Sequence, residues 1–412
     1  MKNISSKPVL KCQISNSRKL RSIIFLGYLP PVNTLRKLKE VSVEERSFPA
    51  ELLYCPKSKL VQLGLIVDKK ILFPFEYPYT SSITKILREN FKNLYKEVTK
   101  KFVLLKEDLV IDIGSNDGNL LTNFRGKHRV LGITPEKIGK LAIKKGIPTI
   151  IDYYDKKVVK TVLKKFGKAK IITATNVFAH IDNINDVIKL ILKSLKNDGI
   201  FISESHYLLP LIRSVQYDTI YHEHLRYYSL ESLNFLFKKH GLEIIHVKEV
   251  PTHGGSIRVY VARKGKFKAS SSVRKQFLLE KKYLNWKQFI HFRKKTVNSK
   301  LKLYKILNSI KSKNKTIYGI GAPSRASTLI NYVGLDQNII DCVLEIKGSY
   351  KINHYIPGTK IPILDEKKLF QDRPDYVILF SWHIAKELKN NLKKKGYKGK
   401  FIIPLPAPRI EN

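Results

Sequence analysis

Three features of this 412-residue chain predict an α/β fold. Short apolar runs alternate with helical stretches from Leu109 to about Val261. One of those runs passes directly into a glycine-bearing turn, Asp112 to Gly118. The same rhythm returns after Thr316, again led by a run ending in a glycine turn. Apolar strands separated by helices imply a parallel sheet covered on both faces.

In order along the chain, residues 1–85 hold two cysteine positions, Cys12 and Cys55, and strand-like runs such as Leu60 to Val67. Helical periodicity begins at Ser82 and continues to Leu105, opening a central unit over 86–265. Its predicted strands are Leu109 to Ile113, Arg129 to Thr134, Lys170 to Thr175, Gly199 to Ser203 and Ile257 to Ala262. Residues 266–315 read as one or two Lys-rich connector helices. A smaller α/β unit, 316–412, closes the chain with strands at Thr316 to Ile320, Ile339 to Glu345, Asp375 to Phe380 and Lys400 to Ile403.

Composition narrows the function classes. A hydrophobic content of 43% supports two or three packed cores. No run of eighteen apolar residues occurs, so no membrane span is expected. The segment Met1 to Ser6 lacks the apolar stretch of a secretory signal, and the chain reads as cytosolic. Three cysteines cannot build a disulfide framework, which agrees with a reducing compartment. The formal charge of +43 raises the question of nucleic acid. The basic residues are spread from Arg36-Lys37 through Lys164-Lys165 to Lys393-Lys394-Lys395, without interleaved aromatics. Lysines on every solvated face explain the charge better than a nucleic-acid partner does, and steering of anionic substrates follows from it.

Two motifs carry chemistry. Tyr217-Asp218-Thr219-Ile220-Tyr221-His222-Glu223-His224 packs six protonatable side chains into eight residues. A histidine oriented by a neighbouring acid is a general base near neutral pH; a polar loop around one core histidine is the plainer alternative. Upstream, Asp112-Ile113-Gly114-Ser115-Asn116-Asp117-Gly118 sits where a strand becomes a helix. Its glycines allow a tight turn and close backbone approach to a ligand. The spacing differs from the Gly-x-Gly-x-x-Gly dinucleotide fingerprint. An acid on the strand followed by Gly-x-x-x-Gly is the arrangement of Rossmann-type domains that bind S-adenosylmethionine; a structural turn is the alternative. Asp112, Gly114, Asn116, Asp117 and Gly118 are therefore candidate cofactor residues. The second strand ends Leu131-Gly132-Ile133-Thr134-Pro135-Glu136, with Thr134 where an acid would hold both ribose hydroxyls. Weakened cofactor affinity is expected there, with Glu136 as the candidate replacement.

Taken together, these and further segments resemble the sugar C-methyltransferases of deoxysugar pathways, which act on nucleotide-linked 4-keto sugars. The matching stretches are Tyr77 to Ser82, Ile113 to Gly118, Asn176 to Ile181, Tyr217 to His224, His253 to Tyr260 and Gly319 to Pro323. The resemblance implies an N-terminal zinc module, a central methyltransferase domain and a C-terminal Rossmann-like domain. It implies S-adenosylmethionine as cofactor and methylation of a carbon beside a ketone, through an enolate. His224 becomes the general base, with Glu223 and Tyr221 orienting it and holding the sugar. Tyr77, Tyr79, His180 and Asn176 become candidates for the pocket wall, oxyanion donation or the cofactor side. On an extended segment His222 and His224 would share a face opposite Tyr221 and Glu223, so the choice of His224 rests on the resemblance.

The Gly319-Ile320-Gly321-Ala322-Pro323-Ser324-Arg325 turn resembles the family's diphosphate cradle, with Gly321 and Arg325 as its contacts; the family usually has lysine at the arginine. A structural turn with an exposed arginine is the alternative. The zinc pattern departs: Cys12-Gln13-Ile14-Ser15 and Cys55-Pro56-Lys57-Ser58 each have serine for the second cysteine, so no stable zinc is expected. The departures at Thr134 and the zinc positions keep a non-catalytic sugar-nucleotide or partner-binding protein in view. An RNA methyltransferase fits less well, because methylating nitrogen or oxygen needs no carbanion.

Overall fold

The computed structural model describes residues 5–40, 44–73, 82 and 84–412. Among them, a seven-stranded sheet forms the centre of the molecule. Its strands are β1 (Leu109–Ile113), β2 (Arg129–Thr134), β3 (Thr149–Ile151), β4 (Ala169–Thr175), β5 (Leu195–His206), β6 (Leu242–Val250) and β7 (Ser256–Arg263). Their order in the sheet is β3-β2-β1-β4-β5-β7-β6. β1 to β5 run parallel, but β7 pairs antiparallel with both β5 and β6. The wholly parallel sheet expected from the sequence is thus corrected at one edge, and β3 and β6 add strands that the apolar runs did not disclose. Leu242–Val250 carries His246, Lys248 and Glu249 among its apolar residues, which breaks the continuous run that marks a buried parallel strand.

Period-two alternation gives the sheet two apolar faces. Val110, Val130, Ile171, Ile200 and Ile202 pack under Phe91, Leu94 and Val98 of the helix Lys85–Lys101. Leu109, Ile111, Leu131, Ile172 and Phe201 pack on the other face against Val158, Val162, Ile188 and Ile191. A buried ion pair locks the first helix to the sheet: Arg258 Nη2 lies 2.7 Å from Glu204 Oε2, and the same guanidinium reaches Glu97 at 3.2 Å. Burial raises the Glu97 carboxyl, but His246, Lys248 and Arg258 outweigh it and bring it to about 2.

The flanking units are stitched into the centre. Arg21–Leu29, Phe48–Tyr54 and Val61–Leu63 form a sheet whose fourth strand, Arg226–Tyr227, comes from the central unit. Arg36–Lys37 leaves that module and pairs with His354–Tyr355 at the edge of the C-terminal sheet. That sheet is built on the parallel strands Ile317–Ile320, Cys342–Glu345, Pro362–Asp365, Tyr376–Leu379 and Lys400–Ile403. The connector forms two helices, Ser271–Tyr283 and Trp286–Lys311.

Glu280, 1% exposed, fastens the connector to the centre. It accepts from the Leu230 and Glu231 amides at 2.5 and 3.0 Å and from the Tyr207 hydroxyl at 2.7 Å. Burial nevertheless pushes its carboxyl up to about 7. Because the folded value lies above the unfolded one, this group's stabilisation is complete below about pH 4 and is lost as pH rises through 7. The difference is on the order of 3 kcal/mol. Glu280→Gln is expected to raise the melting temperature by a few degrees at pH 8, with the gap closing toward pH 5, as read by calorimetry. A gap constant over that range would mean the carboxyl stays ionised throughout.

Candidate functional site

The C-terminal ends of β1, β2, β4 and β5 open onto a cavity of about 1130 Å³ that also touches the N-terminal and C-terminal flanking units. Asp112, Gly114, Asn116, Asn176, His180, Tyr221, Glu223, His224 and Arg325 line it. The volume exceeds the usual range for one small ligand and suits two ligands side by side. The turn after β1 is shaped for close approach. Gly114 has φ +75°, and a Cβ there would lie 2.8 Å from Val177. Asn116 and Asn176 also adopt left-handed backbone, at φ 51° and 57°. Such strained residues concentrate at ligand sites. Asp112 is buried beneath the turn and accepts from Thr173 Oγ1 at 2.6 Å; burial pushes its carboxyl up to about 7 against that hydrogen bond.

Three expected cofactor residues do not line the cavity. Asp117 is turned to Lys145, 2.9 Å away. Gly118 instead gives room to the neighbouring helix, since a Cβ there would lie 2.7 Å from Ile147 and 2.9 Å from Ala142. Thr134 is fully buried, and its hydroxyl donates to the Glu136 carboxylate. Glu136, two residues on, is the acid that lines the cavity.

The segment from Tyr217 to His224 is not extended. Tyr217–Thr219 is a short 3₁₀ turn, and a second turn brings the His224 amide to the Tyr221 carbonyl at 3.0 Å. Tyr221 and His224 therefore stack on one side, ring centroids 4.2 Å apart, rather than facing opposite ways. His222 goes elsewhere: its Nε2 meets the Pro49 carbonyl at 3.2 Å, which pins the loop to the N-terminal module. His224 Nδ1 lies 2.9 Å from the Thr219 carbonyl, which also accepts from the Tyr227 hydroxyl at 3.3 Å. A carbonyl can only accept, so Nδ1 carries the proton and Nε2 is the basic nitrogen. Burial, then the neighbouring His180 and His206, hold the ring well below its usual value, so it is neutral at physiological pH.

The Thr219 carbonyl thus does the orienting expected of Glu223. The Glu223 carboxylate accepts from Asn33 at 2.6 Å, and its own carbonyl meets His180 Nδ1 at 2.5 Å. Tyr77 and Tyr79 lie outside the described residues.

The anion cradle is filled from within. Arg325 is buried rather than exposed, with Nε 2.9 Å from Asp218 Oδ2 and Nη2 3.0 Å from Oδ1. The Ala322 amide donates to Glu345 Oε1 at 2.6 Å. Gly321, at φ +78°, shapes the turn without lining the cavity. The cation that sequence reasoning missed is Lys351, whose Nζ donates to the Ala322 carbonyl at 2.5 Å. Burial lowers its ammonium, opposed by Glu345 and Glu223. His206, His253 and His383 also line the cavity unforeseen. Only His253 stood within a quoted motif, and its φ of 56° beside two glycines marks the turn.

The four zinc positions converge without a zinc donor set. Cys12 Sγ lies 3.1 Å from Ser58 Oγ, and Cys55 Sγ 3.5 Å from Ser15 Oγ. Each cysteine opens a turn closed by a left-handed residue, Asn16 or Lys59. Two thiols and two neutral hydroxyls do not fit a structural zinc, which takes thiolates and imidazoles. The purified chain is expected to carry no stoichiometric zinc, while Ser15→Cys with Ser58→Cys should bind one per chain and melt higher. Zinc retained by the parent chain through dialysis would show that the hydroxyls ligate.

Comparison with known proteins finds three domain descriptions in order along the chain. Residues 12–73 match a domain described as zinc binding, 86–247 a methyltransferase domain, and 251–406 the C-methyltransferase C-terminal domain. C-methyltransferase NovU of Streptomyces niveus is 28% identical over 98% of this chain and 97% of its own length. Among solved structures, a methyltransferase of Anabaena variabilis is 15% identical over 44% of this chain and 86% of its own, with a TM-score of 0.35. Magnesium protoporphyrin IX methyltransferase of Synechocystis, solved with S-adenosylmethionine, is 12% identical over 43% and 79%, with a TM-score of 0.33. The three domain matches in this order, with a curated relative along the whole length, give this chain the domain organisation of a C-methyltransferase.

Proposed function

We propose that the chain methylates a carbon beside the ketone of a nucleotide-linked keto sugar, with His224 as general base. The carrying observation is the fixed tautomer: a neutral imidazole whose Nδ1–H is held by Thr219, leaving Nε2 basic, in the same cavity as the Gly114 turn. A proton on a carbon beside a carbonyl is acidic enough for such a base. His224 Nε2 takes that proton, and the C–H electron pair moves into an enolate. S-adenosylmethionine, when bound, supplies a methyl group on a sulfonium, to which the carbon bonds as the C–S bond breaks.

On the cofactor side, Gly114, Asn116 and Asn176 present backbone close to the ligand, Asp112 offers a buried carboxyl, and Glu136 serves in place of the ribose-binding acid. Thr134 buttresses Glu136 rather than touching ribose. On the sugar side, Tyr221 and Glu223 flank the base, and Ser324, Tyr350 and Lys351 close the C-terminal wall. With Arg325 committed to Asp218, Lys351 is the C-terminal cation facing a substrate phosphate.

His224→Ala should slow solvent-deuterium exchange into a 4-keto sugar nucleotide by about 10²-fold or more, read by mass spectrometry, while still binding S-adenosylmethionine. Exchange at the parent rate would remove His224 from this role. Glu136→Gln should weaken S-adenosylmethionine binding by about tenfold in calorimetry, the scale of one charged hydrogen bond. Undiminished affinity would place the ribose elsewhere.

A further inference from the structure

His206, the last residue of β5, stands beside the base and has no part in the chemistry above. Its ring lies parallel to that of His224, with an interplanar angle of 5° and centroids 6.2 Å apart, and both rings line the cavity. Its protonation pattern is readable from its surroundings. Nε2 is 3.3 Å from Gln216 Oε1. The Gln216 amide is itself oriented, because its Nε2 donates to the Gly254 carbonyl at 2.8 Å and Arg325 Nη2 donates to its oxygen at 3.3 Å. An amide oxygen only accepts, so the proton sits on His206 Nε2 and Nδ1 keeps its lone pair. That Nδ1 is buried and has no partner among the described residues.

A second protonation at Nδ1 is opposed. Burial and the Arg325 guanidinium hold the imidazole at about 3. The buried lone pair must then be met by a donor that arrives from outside, since an unmet buried acceptor is costly. A ketone or enolate oxygen cannot serve, being an acceptor itself. A hydroxyl can.

We infer that His206 is a specificity-determining residue: its Nδ1 accepts a hydrogen bond from a hydroxyl of the sugar, and so turns the ketone oxygen away from β5. This rests on the keto-sugar reading of the cavity. It makes a hydroxylated ring, rather than a bare ketone, the preferred substrate.

The test is calorimetric titration of a thymidine diphosphate-linked 4-keto-6-deoxyhexose into the S-adenosylhomocysteine complex. The parent chain is compared with His206→Leu, His206→Gln and His206→Asn, thermal melting reporting the fold of each. Leu and Gln remove the acceptor at the Nδ1 position and should weaken sugar binding by about tenfold or more. Asn places an amide oxygen near the Nδ1 position and should stay within about threefold of the parent. S-adenosylhomocysteine affinity should be the same in all four. Leu binding the sugar as well as the parent overturns the assignment, as does Asn failing alongside Leu. Losses confined to S-adenosylhomocysteine also overturn it, because the donor met by Nδ1 would then belong to the cofactor. A parent chain indifferent to the sugar nucleotide, yet binding S-adenosylhomocysteine, overturns the substrate class and this role with it.

Discussion

The site depends on one buried guanidinium. Arg226, 1% exposed, reaches Gln13 Oε1 at 2.5 Å and donates to the carbonyls of Ile181 and Asp182. It binds the N-terminal module to the segment that follows β4, where His180 sits. Its neighbour Tyr227 pairs with Val61 in the N-terminal sheet and places a hydroxyl on the Thr219 carbonyl. That carbonyl sets the His224 tautomer. A two-residue strand, too short to be stable alone, thereby links the N-terminal module to the His224 ring. Amide carbonyls engage both terminal nitrogens of this guanidinium without a carboxylate, which leaves the acids for other work.

Those acids are spent on neutralisation. Asp218 takes Arg325, and Glu345 takes the Ala322 amide, so the turn that would cradle a phosphate is already filled by carboxylates. A chain of net charge +43 therefore brings little uncommitted positive charge to this wall. Global charge acts at a distance, in drawing anions toward the cavity, whereas the recognition proposed at its C-terminal wall uses Lys351 and oriented neutral groups.

The chain's local patterns disclosed what local physics determines. Strands such as Leu109–Ile113 and Arg129–Thr134 are mostly apolar because both faces are buried, and their limits could be read directly. The antiparallel edge could not, since strand direction is a property of pairing and not of period. At the site, the glycine turn and the His224 segment stood out as chemistry at fixed spacing. The partners of Arg325 and Thr134 did not. Asp218 lies 107 residues from the arginine it neutralises, and nothing in either neighbourhood announces the pair. Thr134 shows the reverse case: its partner Glu136 is two residues away, but which of the two lines the cavity is decided only by the bend after β2. The cysteine positions were fully legible in composition, yet their convergence with Ser15 and Ser58 is a tertiary fact.

The depressed basicity of His224 has a consequence for how the proposed reaction is timed. A buried ring beside two other imidazoles resists a proton while the cavity is empty. Nearby negative charge favours the protonated ring, so a substrate carrying a diphosphate strengthens the base that will act on it. On the proposed reading the histidine stays neutral, with its lone pair ready, and an entering anion strengthens it as an acceptor. A freely solvated histidine would be partly protonated before substrate arrived and would lose that fraction of active molecules. On that proposal, burial is the condition that keeps His224 unprotonated until substrate enters.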